Sequence, residues 1–311
     1  VLLLTLLLSV VFSCKNEPKK VAPANTGSPF FKLSLAQWSL HKYVLNEKKS
    51  PFHFASQAKE MGFEGLEYVS QLYTKELEKD KDPKVAMANM LKVLKEKSET
   101  YNVTNVLIMV DREGDLATLD DKERAQTIEN HKKWVDAAQF LGCHSIRVNA
   151  HGVGTYEEVA EAAVKGLTEL STYAATKGIN VIVENHGGYT SNGQWLAEVM
   201  AKVNMPNCGT LPDFGNFCIE KKDPKNYFSK CINEYDKYLG MEELMPYAKA
   251  VSAKSFDFKK NGEESTIDFK RIIDIVSSFE YEGYYGIEYE GLNISEEKGI
   301  LQTKKLLERH L

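Results

Sequence analysis

The most constraining feature of this sequence is a repeated alternation of short β-rich runs with longer stretches of helical periodicity, beginning at Phe31. The β-rich runs span residues 32–38, 65–69, 103–110, 145–149, 180–184, 209–213, 250–254 and 284–289. Strands that alternate with helices in this way pair in parallel through crossover connections. Eight such units in a chain of 311 residues predict a single (β/α)₈ TIM barrel over residues 31–311.

A doubly wound open sheet is the competing architecture for such a pattern. That fold places a glycine-rich phosphate turn directly after its first strand. Here the first predicted strand ends in residues 37–41 (QWSLH), which contain no glycine. Charged residues also stand within or at the ends of most predicted strands, as they do at the active-site face of a barrel. We therefore favour the barrel, with residues 216–241 as a long connection that covers the site.

The first residues differ in character from the rest of the chain. Residues 1–12 are almost wholly apolar, and their length suits a signal peptide better than a membrane span. Ser13 then precedes Cys14, and a polar stretch rich in Pro, Gly and Ser follows. This pattern resembles the lipobox of bacterial lipoproteins. It implies a signal peptide over 1–13, lipidation of Cys14, a tether over 14–30, and export to the periplasm or outer membrane with membrane attachment through the lipid. The alternative is a buried strand with an ordinary cysteine.

Charge and cysteine usage exclude several kinds of partner and site. The net charge is −5, with 44 acidic and 39 basic residues and no basic block, whereas nucleic-acid binding needs clustered Lys and Arg. We therefore expect no nucleic-acid partner. The remaining cysteines, Cys143, Cys208, Cys218 and Cys231, show no CxxC spacing. This predicts no disulfide network and no thiolate metal site, and leaves a single bridge open.

Three segments place a carboxylate at the end of a predicted strand, directly before a glycine-containing turn. They are VIVENHGG with Glu184, PDFGN with Asp213 and GIEYEG with Glu288. In a barrel, the carboxyl ends of the fifth, sixth and eighth strands converge. Three carboxylates so close together need protons or a cation, and a hard divalent ion with oxygen ligands meets that need. The sequence therefore predicts that these residues bind a divalent metal cation, Mn²⁺ or Mg²⁺.

These segments resemble the xylose isomerase-like TIM-barrel superfamily of sugar isomerases and epimerases, in its tagatose-epimerase-like branch. The resemblance covers residues 31–310. It implies that Glu184, Asp213 and Glu288 bind the metal together with a seventh-strand histidine, and that the two glutamates are the catalytic proton-transfer pair on opposite faces of a sugar. Glu290 has the same strand phase as Glu288, and the resemblance favours Glu288. At the histidine position this chain carries Ser252, a weak neutral ligand.

Two basic residues stand close to the predicted metal ligands. Lys254 shares the strand face of Ser252, and a buried ammonium is costly unless it is paired. We predict that Lys254 is catalytic, either binding a substrate oxyanion or replacing part of the metal's charge. His186 follows Glu184 by two residues. It either faces the same cavity and binds substrate or metal, or is a hydrogen-bonded turn histidine.

Four further residues are candidates for substrate binding. Glu67 on the second strand and Arg147 on the fourth would either orient sugar hydroxyls or form a salt bridge inside the barrel. Trp38 would stack on a sugar face or pack in the core. Asn216 closes the PDFGN segment.

The predicted reaction is isomerisation or epimerisation of a small carbohydrate. It would proceed by proton abstraction next to a carbonyl, through a metal-stabilised ene-diolate. The same ene-diolate can instead expel a β-substituent, which would make the chain a lyase or hydratase of keto-sugars or keto-glycosides. A third interpretation is a non-catalytic carbohydrate-binding lipoprotein that has lost its metal through Ser252. Retention of the three carboxylates and Lys254 disfavours that interpretation.

Overall fold

The barrel strands run between polar turns that place charged side chains at their carboxyl ends. A computed structural model describes residues 31–223, 226 and 229–311, in which ten strands form two sheets. The strands are β1 (Lys32–Ala36), β2 (Gly65–Val69), β3 (Thr104–Met109), β4 (Ser145–Val148), β5 (Asn180–Glu184), β6 (Cys208–Leu211), β7 (Cys218–Lys221), β8 (Cys231–Glu234), β9 (Val251–Ser255) and β10 (Tyr284–Tyr289). The eight predicted strands are all present, and their ends differ from the predicted ones by at most two residues.

The larger sheet is parallel throughout and has the order β6-β5-β4-β3-β2-β1-β10-β9. Its two outer strands meet through parallel bridges that join Thr210 to Ala248 and Asp213 to Ser252. The Ser252 amide donates to the carbonyl oxygen of Pro212 at 2.9 Å. Because β6 and β9 contact each other, the sheet closes on itself. The predicted TIM barrel is confirmed.

Helices occupy most of the connections between the barrel strands. They are α1 (His41–Leu45), α2 (Phe54–Glu60), α3 (Thr74–Leu77), α4 (Pro83–Tyr101), α5 (Asp121–Leu141), α6 (Tyr156–Ala175), α7 (Gly193–Val203), α8 (Lys237–Leu244), α9 (Phe269–Ser278) and α10 (Glu296–His310). Side-chain caps explain where the longest ones begin. Asp120 accepts from the first amides of α5, and Thr155 and Glu158 form a capping box at α6.

Successive residues of the barrel strands alternate in character. One set is apolar and fully buried, including Leu35, Leu66, Ile146, Val183 and Ile287. The alternate set is polar and equally buried, including Ser34, Glu67, Arg147, Ser252 and Lys254. Because successive strand residues point to opposite faces, the apolar set packs against the helices and the polar set fills the barrel interior. The barrel interior is therefore where charged groups are concentrated.

The long connection after β6 contains more regular structure than the sequence predicted. Strands β7 and β8 form an antiparallel hairpin, and helix α8 follows it. A disulfide joins Cys218 to Cys231, with their Cα atoms 5.8 Å apart. Cys143 and Cys208 are free and buried. The hairpin carries the single bridge that the cysteine spacing left open.

The N-terminal predictions concern residues that the structure does not describe. The predicted signal peptide, Cys14 and the tether all lie outside the described residues. Among the helices of the described part of the chain, none is both long and apolar enough to cross a membrane.

Candidate metal and active site

The three predicted metal ligands lie together at the carboxyl end of the barrel. Glu184 ends β5, Asp213 follows β6, and Glu288 lies in β10. One carboxylate oxygen from each lies within 4.8 Å of the other two. The residues are 2 %, 0 % and 4 % exposed, respectively. Three carboxylates this close and this far from water cannot all ionise without compensation.

The pKa values of two carboxyl groups in this triad are raised as a result. Burial raises the pKa of Asp213 to about 7, against the opposing attraction of Lys254. Burial also raises the pKa of Glu288 to about 8, again against Lys254, and the neighbouring charge of Glu184 adds to the rise. Below about pH 7 both carboxyls therefore hold protons, and a bound cation would displace them.

Ser252 lies on β9, the seventh strand of the barrel, at the position where the sequence resemblance predicted a histidine ligand. Its hydroxyl donates to Asp213 Oδ2 at 2.6 Å and lies 3.5 Å from Glu288 Oε2. A serine hydroxyl has one proton and no charge. Ser252 therefore orients Asp213 without offsetting the negative charge of the triad.

Lys254 lies beside the triad and is 1 % exposed. Its ammonium nitrogen lies 3.2 Å from Glu288 Oε2 and 3.1 Å from Glu290 Oε2. It also donates to the side-chain oxygen of Asn216 at 3.4 Å, and the amide nitrogen of Asn216 donates to Glu184 Oε1 at 2.8 Å. These partners compensate the burial of the ammonium. Lys254 and Asn216 thus link the carboxylates of β5 and β10.

Both glutamates of the GIEYEG segment point into the site. Glu290 accepts hydrogen bonds from the Trp38 indole and from Lys254. Burial alone would raise the pKa of Glu290, but Lys254 and Trp38 hold it below its ordinary value. Trp38 lies in the turn after β1 and stacks on His41 with ring centroids 4.6 Å apart. Glu290 is therefore a site residue, although the family resemblance had favoured Glu288 as the inward-facing glutamate.

A second chain of contacts holds Glu184 from the opposite side. Arg147 on β4 lies 2.8 Å from both Asp111 Oδ1 and Glu184 Oε2. Asn149 donates to Asp111 at 2.8 Å and accepts from His186 Nδ1 at 2.9 Å. Because an amide oxygen only accepts, Nδ1 of His186 carries the proton. Arg147 thus forms a salt bridge inside the barrel, which was one of its two predicted roles. The sequence analysis did not identify Asp111 or Asn149 as site residues.

The contacts with Arg147 and Asn149 stabilise the ionised form of Asp111. Burial opposes its ionisation, but Arg147 and Asn149 lower the pKa of Asp111 to about 2. Arg147 Nε and Glu184 Oε2 form an ion pair, but neither atom has a hydrogen-bond partner among the described residues. Glu184 Oε2 can therefore still accept a hydrogen bond or coordinate a cation inside the site.

Glu67 lies deeper in the barrel than the triad. A Cβ on Gly286, two residues before Glu288, would meet both Glu67 carboxylate oxygens at 2.4–2.5 Å. Ser34 donates to Glu67 Oε1 at 2.5 Å, and burial raises the pKa of Glu67 to about 7. The structure places Glu67 beneath the site, in contact with the wall formed by β1 and β10.

A cavity of about 490 Å³ opens between the loops after β4 and β5 and the β7–β8 hairpin. Its lining includes His151, His186, Tyr189, Cys218 and Lys221. His151 Nε2 lies 3.1 Å from the backbone oxygen of His186, and the two imidazole rings stack at 6.0 Å. His186 thus lines the cavity and also contacts Asn149, and a cavity of this volume accommodates a ligand of sugar size.

Comparison with known proteins places this geometry in a family. A family model described as "Xylose isomerase-like TIM barrel" matches residues 55–310. The inosose dehydratase of Geobacillus thermodenitrificans is 26% identical over 146 residues, which are 43% of this chain and 48% of that enzyme. The match thus spans about half the length of that relative.

Solved structures of low sequence identity share the fold. The 3-keto-D-glucoside 4-epimerase of E. coli has a TM-score of 0.63 and 14% identity, covering 90% of this chain and 100% of that one. The IOLI protein, solved with a bound zinc atom, has a TM-score of 0.66 and 15% identity, covering 90% and 99%. Because the family model covers most of the barrel, the chain belongs to the xylose isomerase-like TIM barrel family.

Proposed function

We propose that this protein is an enzyme of the sugar isomerase/epimerase type that moves a proton on the carbon next to a carbohydrate carbonyl. The observation that carries the proposal is the placement of Glu184 and Glu288. They are two buried carboxylates in one cluster, each contacted by a cation, Arg147 or Lys254. The family, with its epimerase and dehydratase relatives, supports the same reaction class.

The residues at the site fit a divalent cation. Glu184, Asp213 and Glu288 would hold it, because their oxygens lie within 4.8 Å of one another and Glu184 Oε2 accepts no hydrogen bond from the described residues. Oxygen donors suit Mn²⁺ or Mg²⁺, and the zinc atom in the IOLI structure shows that this fold also accommodates Zn²⁺. Such an ion, when bound, polarises a carbonyl and offsets negative charge.

The protein's own groups supply the proton transfer. One of Glu184 and Glu288 takes the proton next to the carbonyl, and the other returns a proton from the opposite face of the sugar. Lys254, 3.2 Å from Glu288, offsets negative charge on the ene-diolate oxygens. Asn216 fixes Glu184 through its 2.8 Å hydrogen bond. Substrate binding by His186, Glu67, Arg147, Asn216 and Trp38 remains a prediction.

The test is proton exchange in deuterated water with a panel of keto-sugars and keto-glycosides, followed by NMR. Glu184→Gln and Glu288→Gln keep side-chain size but remove the base. Each variant should still bind sugar and should lose exchange by about 10²–10⁴-fold. Glu282→Gln, an exposed carboxylate ahead of β10, is the matched control and should exchange normally. Full exchange in both site variants would refute the assignment.

Elimination is a second candidate reaction, favoured by the likeness to inosose dehydratase. The same ene-diolate would expel a β-substituent, and the second carboxyl group would protonate the leaving group. The exchange experiment separates the two reactions. An epimerase returns a labelled isomer, whereas a lyase or hydratase gives an unsaturated product.

We also propose that the protein is an exported lipoprotein attached through Cys14. The apolar leader before Ser13-Cys14 carries this proposal. The Cys218–Cys231 disulfide is an independent observation in its favour, because disulfides persist in oxidising compartments such as the periplasm.

A further inference from the structure

A second cavity, of about 240 Å³, lies between the loops after β3 and β4 and helix α5. This β3-loop cavity opens at the carboxyl end of the barrel, as the triad does. Its polar lining residues are Arg112, Glu113, Asp115, His131, Asn149 and His151. His151 also lines the cavity of about 490 Å³, so the two cavities share a wall residue.

Asn149 connects the β3-loop cavity to the triad. Its side-chain nitrogen donates to Asp111 Oδ1 at 2.8 Å. Arg147 donates to the same oxygen at 2.8 Å and lies 2.8 Å from Glu184 Oε2. A continuous chain of side-chain contacts therefore runs from the cavity wall to one of the predicted metal ligands.

Helix α5 fixes the wall that the loop after β3 gives to this cavity. The Glu113 carboxylate accepts from the Trp134 indole at 2.7 Å and lies 2.8 Å from the Lys133 ammonium. A Cβ on Gly114 would come within 2.3 Å of Thr127 Oγ1, so the loop packs directly on the helix. The shape of the wall is thus set by the fold, and the charge of Glu113 is already paired.

The hydrogen-bonding groups of the β3-loop cavity are mixed in character. Arg112 brings a guanidinium, which only donates, and Asp115 brings a carboxylate, which only accepts. His131 is 2 % exposed, and its Nδ1 donates to the carbonyl oxygen of Thr127 at 2.8 Å. Burial lowers the pKa of His131, so at neutral pH its Nε2 is an acceptor. Sugar hydroxyls, which both donate and accept, match this wall, whereas an anion would meet Asp115 and a cation would meet Arg112.

The backbone at Arg112 is strained. Its φ is 64°, in the left-handed region that residues other than glycine rarely adopt. Residues held in this way concentrate at ligand-binding sites, where the surrounding structure enforces the conformation. The Arg112 guanidinium forms no salt bridge or hydrogen bond with the part of the chain that the structure describes. Arg112 is exposed and lines the cavity, so a ligand there can meet its donors.

We propose that the β3-loop cavity is a subsite for a neutral sugar ring, linked to the ring that reacts at the triad. This inference rests on the proposed function and narrows its substrate class to disaccharides and larger glycosides. The volume of about 240 Å³ is just below the roughly 300–1,000 Å³ of pockets for drug-sized ligands, and it suits one ring. Arg112 donates to hydroxyl oxygens of that ring, and Asp115 accepts from its hydroxyl groups, as charge-assisted hydrogen bonds.

The test measures binding, not turnover. Isothermal titration of the full chain compares D-glucose with its disaccharides maltose, cellobiose, laminaribiose, sophorose and gentiobiose. At least one disaccharide should bind about tenfold tighter than glucose, which corresponds to about 1.4 kcal/mol. Arg112→Gly should remove this preference without unfolding the chain, because glycine accepts the left-handed backbone and only the side chain is lost. Asp115→Ala should weaken the same preference.

Lys48→Gly is the matched control, because Lys48 is also an exposed basic residue with a left-handed backbone, φ 58°, and it lies outside the cavity lining. It should leave the preference unchanged. The inference is overturned if no disaccharide binds tighter than glucose, if Arg112→Gly keeps the preference, or if Lys48→Gly loses it as well. Deuterium exchange with single-ring keto-sugars decides the proposed function separately, since it reads proton transfer by Glu184 and Glu288 and not the affinity for a second ring.

Discussion

Metal binding to the triad should release protons, and the number released follows from the structure. In the metal-free protein, burial raises the pKa of Asp213 to about 7 and that of Glu288 to about 8. Both groups therefore carry protons at pH 6. A metal ion coordinates the ionised forms, so binding must displace the protons. With ordinary pKa values near 4, the same carboxyls would already be ionised at pH 6 and would release none.

The size of the effect can be worked out from these two pKa values. Below about pH 7, binding displaces about two protons, and the apparent affinity rises about 100-fold per pH unit. Between about pH 7 and pH 8 only the Glu288 proton remains, and the rise falls to about tenfold per unit. Above about pH 8 the affinity is independent of these groups. Because Asp213 and Glu288 interact, the two steps belong to the pair.

Isothermal titration with Mn²⁺ at pH 6, in two buffers with different ionisation enthalpies, counts the protons released. The wild-type chain should release about two. Asp213→Asn removes one titrating group, so any residual binding should release about one. If the wild-type chain binds Mn²⁺ tightly at pH 6 and releases no proton, then Asp213 and Glu288 are not the ligands. A lack of Mn²⁺ binding at pH 8.5 would equally refute the reasoning.

Two further predictions concern the seventh strand and the N-terminus. Ser252→His should raise the affinity for Mn²⁺, measured by the same titration, because an imidazole nitrogen is a far stronger ligand than a hydroxyl; Ser252→Ala is the control, and an affinity no higher than that of wild type would contradict the expected geometry. Cys14→Ala should move the protein from the membrane fraction to the soluble fraction after cell fractionation, and failure of labelled lipid to attach to the wild-type chain would exclude the lipoprotein assignment.

The fold was predictable because its signals are local and repeated. Each barrel strand is a short β-rich run between a helix end and a polar turn, and the same pattern recurs eight times. The β7–β8 hairpin was not predictable in the same way. Its strands are four residues each, and neither has a buried apolar face that would give the segment a period of two; even Ile232 of β8 is exposed. Cross-strand pairing and a disulfide hold it together, and both are contacts distant in sequence.

The rule that identified the metal ligands from the sequence also fits a site residue that was overlooked, Asp111. The rule that selected Glu184, Asp213 and Glu288, a carboxylate at a strand end before a glycine-containing turn, also fits Asp111, which precedes Gly114. The partners of Asp111 were beyond the reach of that rule. Its bonds to Arg147 and Asn149 depend on the neighbouring strand β4, and only the three-dimensional register of β3 and β4 brings them together.

Glu290 shows the limit of family likeness as a guide to a single chain. Likeness to relatives singled out Glu288, but strand periodicity places Glu290 on the same face. The structure uses both, because Lys254 lies within 3.2 Å of one and 3.1 Å of the other. Both carboxylates therefore face inward, where the sequence analysis had expected one of the two.

The charge balance of the site suggests why a serine is tolerated on the seventh strand. Among the described residues, five carboxylates cluster here: Asp111, Glu184, Asp213, Glu288 and Glu290. Two buried cations, Arg147 and Lys254, offset part of that charge. Below about pH 7, the protons on Asp213 and Glu288 supply two further positive charges, which equal the charge of one divalent ion. Exchange of two protons for a metal therefore leaves the net charge of the cluster unchanged. A neutral Ser252 does not alter that balance, since a neutral histidine would contribute no charge either, so the substitution weakens coordination without removing the electrostatic demand for a cation.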